Sequence, residues 1–94
     1  MKKWFRLVVF HDGEMARILR QLKGLVSSVL PESAELCLIT VLDRASGECW
    51  AYIDHEATAA LIGATESEPP HDSARYLMLS EERLHGGATQ PQFP

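Results

Sequence analysis

Four histidines are the residues of this sequence best suited to acid–base or metal chemistry, and two of them stand beside an aspartate. The pairs are His11 with Asp12 and His71 with Asp72. Imidazole and carboxylate groups bind Zn²⁺, and a histidine can transfer protons near neutral pH. If the fold brings the pairs together, they form a candidate catalytic site (His11, His71) or a candidate metal site that uses all four residues.

Other readings of these residues weigh against a site. The spacing matches no recognised ligand signature, and Asp12 is also placed to cap a helix. Exposed loop histidines that bind nothing are the more common outcome. The sequence also contains no Gly-rich phosphate loop and no nucleophile setting that can be defended. We therefore expect no cofactor and a non-catalytic protein. The alternative is a small dimeric enzyme or metal-binding protein with a site at the sheet edge near His11 and His71, lined by Tyr76 or by the dimer partner.

The elements that would position these residues are organised around an apolar hairpin between Ala34 and Asp54. Its arms are rich in Leu, Ile, Val, Trp and Tyr, which suit a packed sheet. We predict a three-residue turn at 45–47 in which Gly47 takes a positive φ, so that Asp43 faces Cys49. This register puts Cys37, Ile39, Val41, Cys49, Ala51 and Ile53 on one face, and Leu36, Leu38, Leu42, Trp50 and Tyr52 on the other. Both faces are apolar, so both must be covered.

The remaining elements follow from periodicity and from helix signals. Apolar residues recur at helical spacing from Met15 to Val29 and predict an amphipathic helix, with Asp12 as its N-cap and Pro31 as its stop. Asp54 is expected to cap a second, short helix. Strands are predicted over 4–10 and 75–79, with a loop over 64–73.

The element order β-α-β-β-α-β predicts an α+β fold, a ferredoxin-like plait. In that plait a four-stranded antiparallel sheet has the spatial order 4-1-3-2, and both helices cover one face. Strand 4 then lies beside strand 1, which brings His11 close to His71. We expect a single domain over 1–85 and a tail over 86–94.

The uncovered face of the plait is the predicted interaction surface. It would carry Trp4, Val8, Phe10, Leu36, Leu38, Leu42, Trp50 and Tyr52. A large exposed apolar patch marks an interface, so we predict a homodimer by sheet-on-sheet packing and a regulatory or adaptor role. Two alternatives stay open: the tail, with Phe93, covers the face, or a different protein does.

Charge and cysteine content narrow the partners further. The net charge is −4, with +4 in residues 1–30 and −8 in the remainder. This balance makes nucleic acid an improbable partner, whereas the basic segment could serve an acidic one. No run of residues approaches the length of a membrane span. Cys37 and Cys49 are expected to be unpaired thiols in a reducing compartment, and we expect a cytoplasmic protein.

Overall fold

The structure, a computed structural model, describes residues 2–86, which form one antiparallel sheet with two α-helices. The strands and helices are β1 (Phe5–His11), α1 (Met15–Val29), β2 (Glu35–Asp43), β3 (Glu48–Ile53), α2 (Glu56–Ile62), β4 (Thr65–Glu66) and β5 (Tyr76–His85). The predicted α+β class is confirmed. Phe93 and the rest of the predicted tail beyond Gly86 lie outside the described residues.

The strand order across the sheet is β4-β1-β3-β2-β5, and every neighbouring pair is antiparallel. The prediction that the strand beginning near residue 75 lies beside β1 is wrong, because this strand is β5 and it pairs with β2. The neighbour of β1 is instead the two-residue strand β4, which lies in the segment predicted to be a loop. The part of the chain that the structure describes therefore forms a sheet of five strands rather than the predicted four.

The hairpin between β2 and β3 forms, but with a loop one residue longer than predicted. The Gly47 amide donates to the Asp43 carbonyl at 2.7 Å, and Gly47 has the expected positive φ of 78°. Val41 therefore faces Trp50, whereas the prediction placed it opposite Ala51. A slip of one residue turns every side chain of a strand to the other face.

This slip corrects the predicted faces of β2, while those of β3 hold. Leu36 and Leu38 pack with Cys49, Ala51 and Ile53 against the helices, on what we call the helix face. The opposite face, which we call the strap face, carries the cluster Cys37, Ile39, Val41 and Tyr52, with Trp4, Trp50 and Tyr76 packed against it.

A register shift in β1 also moves residues to the helix face. The pairing of β1 with β3 is interrupted at Leu7, between Arg6 and Val8. A bulge of this kind inserts one residue and so reverses the alternation beyond it. Val8 and Phe10 consequently pack in the helix-face core, whereas they were expected on the uncovered face.

The helices begin differently from the prediction. A 3₁₀ turn, Asp12–Glu14, precedes α1. The N-cap residue of α1 is therefore Glu14 and not Asp12 as predicted, and Glu14 makes no side-chain capping bond. At α2 the cap is His55, whose Nδ1 accepts from the Thr58 amide at 3.2 Å. Asp54, the expected cap, accepts from the Cys37 amide at 2.8 Å instead and so ties β2 to the end of β3.

Residues 67–75, which we call the strap, connect β4 to β5 and must therefore pass from one edge of the sheet to the other. Strap residues Pro69, Pro70, His71 and Ser73 line a pocket together with side chains of the strap face. The strap therefore crosses the face away from the helices. Tyr52 beneath it has 0% of its surface exposed, and Ile39 has 4%. The second apolar face is thus covered by an internal segment of the same chain.

Candidate functional site: a pocket beneath the strap

The strap is fixed at its start by a backbone bond and at its end by a turn. The Ser67 amide donates to the Trp4 carbonyl at 2.9 Å. At the other end, Asp72 accepts from the Ala74 amide through Oδ1 at 3.0 Å and from the Tyr76 amide through its carbonyl at 2.8 Å. This short-range bonding is typical of an aspartate that initiates a turn, and it directs the chain into β5.

An ion pair joins the end of the strap to the hairpin. Arg75 donates from Nε to Asp43 Oδ1 at 2.9 Å and from Nη2 to Oδ2 at 3.1 Å, a bidentate pair. The Asp43 side chain is 2% exposed, and that of Arg75 is 50% exposed. The hydrogen bonds from Arg75 hold the pKa of the Asp43 carboxyl well below its usual range, although burial acts in the opposite direction.

The strap, β2 and β5 line a pocket of about 260 Å³. Its lining residues are Ile39, Val41, Pro69, Pro70, His71, Ser73, Tyr76 and Met78. Those from β2 and β5 form an apolar floor, and His71 and Ser73 supply polar groups from the strap. Met78 is 55% exposed, so the wall of the pocket at β5 is open to solvent.

Two adjacent aromatic rings beside this pocket are flanked by two guanidinium groups. The rings of Trp50 and Tyr76 have centroids 5.6 Å apart at an interplanar angle of 50°. Arg6 lies 5.2 Å from the centroid of Trp50, and Arg75 lies 5.2 Å from that of Tyr76. Cations above aromatic faces are stabilised by the ring quadrupole, so each end of the row is held by an arginine.

Two buried donors beneath the strap have no hydrogen-bond partner among the described residues. They are Trp50 Nε1 and Tyr52 Oη. Burial raises the pKa of the Tyr52 hydroxyl, and the positive charge of Arg6 acts against this rise. A buried polar group without a partner is costly, so this part of the face is less well satisfied than the helix side.

The structure separates the histidines that were predicted to meet. His71 lines the pocket with Tyr76, whereas His11 ends β1 opposite Glu48. The pocket lies over β2 and β5, and β3 separates these two strands from β1, so His71 and His11 lie on opposite sides of the central strand. The expectation that His11 and Asp12 lie beside His71 and Asp72 is therefore wrong. Among the residues that the structure describes, no group of three His, Cys, Asp or Glu is placed to hold a metal ion.

The predicted interface residues fall on both sides of the sheet. Trp4, Trp50 and Tyr52 belong to the strap face as expected. The other five, which are Val8, Phe10, Leu36, Leu38 and Leu42, pack against the helix-face core. Pro69 and Pro70 indicate an extended path for the strap, but the face that it crosses depends on strand order, which has no local signal in the sequence.

A second pocket of about 290 Å³ lies at the start of the chain and contains charged residues. It is lined by Lys2, Lys3, Phe5, Asp54 and Glu56. Lys2 Nζ lies 3.2 Å from Asp54 Oδ2, and Lys3 Nζ lies 4.0 Å from Glu56 Oε2. The lysines are thus paired within the chain.

The match with a curated protein covers a small part of a much larger molecule. The chain is 39% identical over 71 residues to the cadherin EGF LAG seven-pass G-type receptor 1 of Mus musculus. This match covers 66% of the chain and 2% of the receptor, so the chain spans a very small part of that protein. No family model matches the chain, and no solved structure matches it.

None of the helices in the described part of the chain combines the length and the apolar character needed to cross a membrane.

Proposed function

We propose that this chain is a non-catalytic binding protein whose pocket beneath the strap accepts one apolar side chain of a polypeptide partner. The observation that carries the proposal is the apolar floor of Ile39, Val41, Tyr76 and Met78, which opens to solvent beside β5. Apolar pockets with a few polar groups at their rim are the usual form of binding sites.

The size of the pocket favours a side chain over a whole small molecule. Small-molecule sites generally measure about 300–1,000 Å³, and this pocket has about 260 Å³. A single leucine or phenylalanine is the kind of anchor that fills such a space at a protein interface. Burying one such side chain contributes about 1.5–3 kcal/mol, so an isolated analogue should bind weakly and a longer segment more tightly.

The position of the strap argues against two other hypotheses, a dimer through the aromatic face and an enzyme with a paired-histidine site. Dimerisation through Trp50 and Tyr52 would require the strap to leave the face that it covers, so we do not place the partner there. The enzyme alternative required His11 beside His71, and this adjacency is absent. The exposed position of Met78 supports a heterologous protein partner at the pocket.

A titration followed by NMR tests this proposal with defined probes. N-acetyl-leucine amide and N-acetyl-phenylalanine amide should shift the amide signals of Ile39, Val41 and Met78, with dissociation constants of about 10–100 mM. N-acetyl-serine amide, which has the same backbone groups, should not shift them. Met78→Lys should weaken the response, because it places a charge at the open wall of the pocket.

The matched control is Leu61→Lys on α2, where the leucine is 69% exposed and is not a pocket residue. This variant should respond as the parent protein does. Equal responses to the leucine and serine probes, or loss of the response in Leu61→Lys alone, would show that the pocket is not the binding site.

A further inference from the structure

The outer edge of β5 is a long row of backbone groups, and most of it lies outside the pocket. The strand has ten residues and lies at the end of the sheet, where it pairs with β2 on one side. Among residues 2–86, no strand pairs with its other side. The backbone groups of an edge strand can pair with another chain, so this edge is a candidate association surface.

We propose that the partner at this edge is a second copy of the chain, paired antiparallel through β5 with the two-fold axis at Glu82. In such a pair, residues equally far from the axis face each other. Glu81 then faces the partner's Arg83, and Arg83 faces the partner's Glu81. The two five-stranded sheets would join into one.

The charges of β5 select this register over its neighbours. An axis at residue 81, 82 or 83 puts one charged residue opposite its own copy, and of the three only the axis at Glu82 also adds pairs of opposite charge. Like charges directly opposite each other are destabilising, whereas opposite charges attract. The axis at Glu82 gives two attractive pairs on the strap face, where Glu81 and Arg83 lie opposite Ile39 and Cys37.

Local contacts agree with this choice. The contact described for Glu81 is a weak one from Cys37 Sγ to Oε2 at 3.8 Å, and no cation forms an ion pair with Glu81 in the described part of the chain. Arg83 Nη1 lies 4.0 Å from Glu35 Oε1, a long contact between two exposed side chains, so Arg83 can turn toward a second copy. Glu82 would face its own copy on the helix face. However, Lys23 Nζ lies 2.9 Å from Glu82 Oε1, so two lysines would flank the two carboxylates.

Charged residues on an edge strand can also prevent pairing and keep a protein monomeric. A charge-swap experiment distinguishes charges that prevent the dimer from charges that hold it together. Sedimentation equilibrium of the whole chain should show a dimer at micromolar concentration that dissociates as salt screens the ion pairs. Glu81→Arg or Arg83→Glu alone should raise the dissociation constant at least about tenfold, because each places like charges opposite one another. The double swap Glu81→Arg with Arg83→Glu should restore the dimer.

The control is Glu66→Arg on β4, at the opposite edge of the sheet, which should leave the dimer intact. Circular dichroism establishes that each variant is folded, and Arg83→Gln replaces any swap that is not. A parent protein that stays monomeric at every concentration, or a double swap as weak as the singles, overturns the proposal. Met78→Lys should still dimerise, so this test and that of the pocket fail independently.

Discussion

At the scale of single residues, two buried hydroxyls in the same sheet have opposite surroundings. Thr40 and Tyr52 are both 0% exposed. Thr40 Oγ1 accepts a hydrogen bond from Ser80 Oγ at 3.0 Å. Arg6 and Ser67 lie near Tyr52 Oη, but neither makes a hydrogen bond of good geometry with it, and no other described residue does. Burying a hydroxyl without a partner costs about 1–3 kcal/mol, and a satisfied one contributes about 1 kcal/mol. The two hydroxyls should therefore affect folding with opposite signs.

We predict that Tyr52→Phe leaves the free energy of unfolding unchanged or raises it by up to about 1 kcal/mol. Thr40→Val should lower it by about 1 kcal/mol, because Ser80 loses its acceptor. Urea denaturation of the two variants measures both effects. A loss in Tyr52→Phe as large as that in Thr40→Val would mean that Arg6 or Ser67 binds the tyrosine hydroxyl.

At the scale of the elements, two glycines differ in what surrounds them. Gly86 follows β5, and its amide donates to the Ala34 carbonyl at 2.8 Å. A Cβ atom at Gly86 would lie 2.8 Å from the Leu30 carbonyl oxygen and would overlap the Pro31 carbonyl. Gly24 lies within α1 on its exposed side, and a Cβ atom there would meet nothing within 4 Å.

Alanine at these two positions should change stability in opposite directions. Gly86→Ala should lower the free energy of unfolding by about 1–3 kcal/mol, because backbone must move to admit the methyl group. Gly24→Ala should raise it by about 0.5–1 kcal/mol, because alanine favours a helix interior. Thermal and urea unfolding give the comparison. If Gly86→Ala has no effect, the end of β5 does not approach Pro31 as described.

The elements also show how far the sequence alone determines this fold. Helical spacing from Met15 onward predicted α1, and the alternation in β3 predicted which side Ala51 and Trp50 occupy. The faces of β2 were wrong because they depended on a loop length that differs by one residue. The bulge at Leu7 and the pairing of β5 with β2 carry no local sequence signal, since each is set by contacts between distant residues.

The pocket could not be predicted because the register of β2 and the position of β5 in the sheet were wrong. His71 and Tyr76 were named as possible site residues and both line the pocket, but they were placed beside the wrong strand. Because the predicted register was shifted by one residue, Ile39 and Val41 were placed on the face that the helices cover. The pocket exists because the strap crosses the sheet, and this crossing follows from strand order rather than from any motif.

For the molecule as a whole, the charge imbalance along the chain is largely met within the fold. Three lysines of the basic N-terminal segment pair with acidic residues beyond position 50, in the pairs Lys2–Asp54, Lys3–Glu56 and Lys23–Glu82. Exposed pairs of this kind contribute little stability, typically less than about 1 kcal/mol each. They do reduce the positive charge that would be left to attract an acidic partner.

The molecule also has two cores of unequal size, one on each side of the sheet. Among residues 2–86, the helix-face core contains ten buried residues, and the strap-face cluster contains four. The smaller cluster is covered by a segment that bonds to the sheet mainly at its ends. Local regions with few buried contacts open at lower free energy than the rest of a protein. The strap should therefore open without unfolding the helix side.

Hydrogen exchange in the native state can test this partial opening with two variants. The amides of Tyr76 and Arg44, which bond to Asp72 and Arg75, should exchange faster than the ladder amides between β2 and β3. Val26→Ala removes a fully buried contact beneath the helices and should speed the ladder amides while leaving the other two unchanged. Asp43→Asn weakens the closed strap itself, because it removes the charge that binds Arg75. The pair with Arg75 is broken both when the strap opens and when the chain unfolds, so the strap amides and the ladder amides should exchange faster by a similar factor. If the Val26 variant also speeds the two strap amides, the strap opens only when the whole chain unfolds.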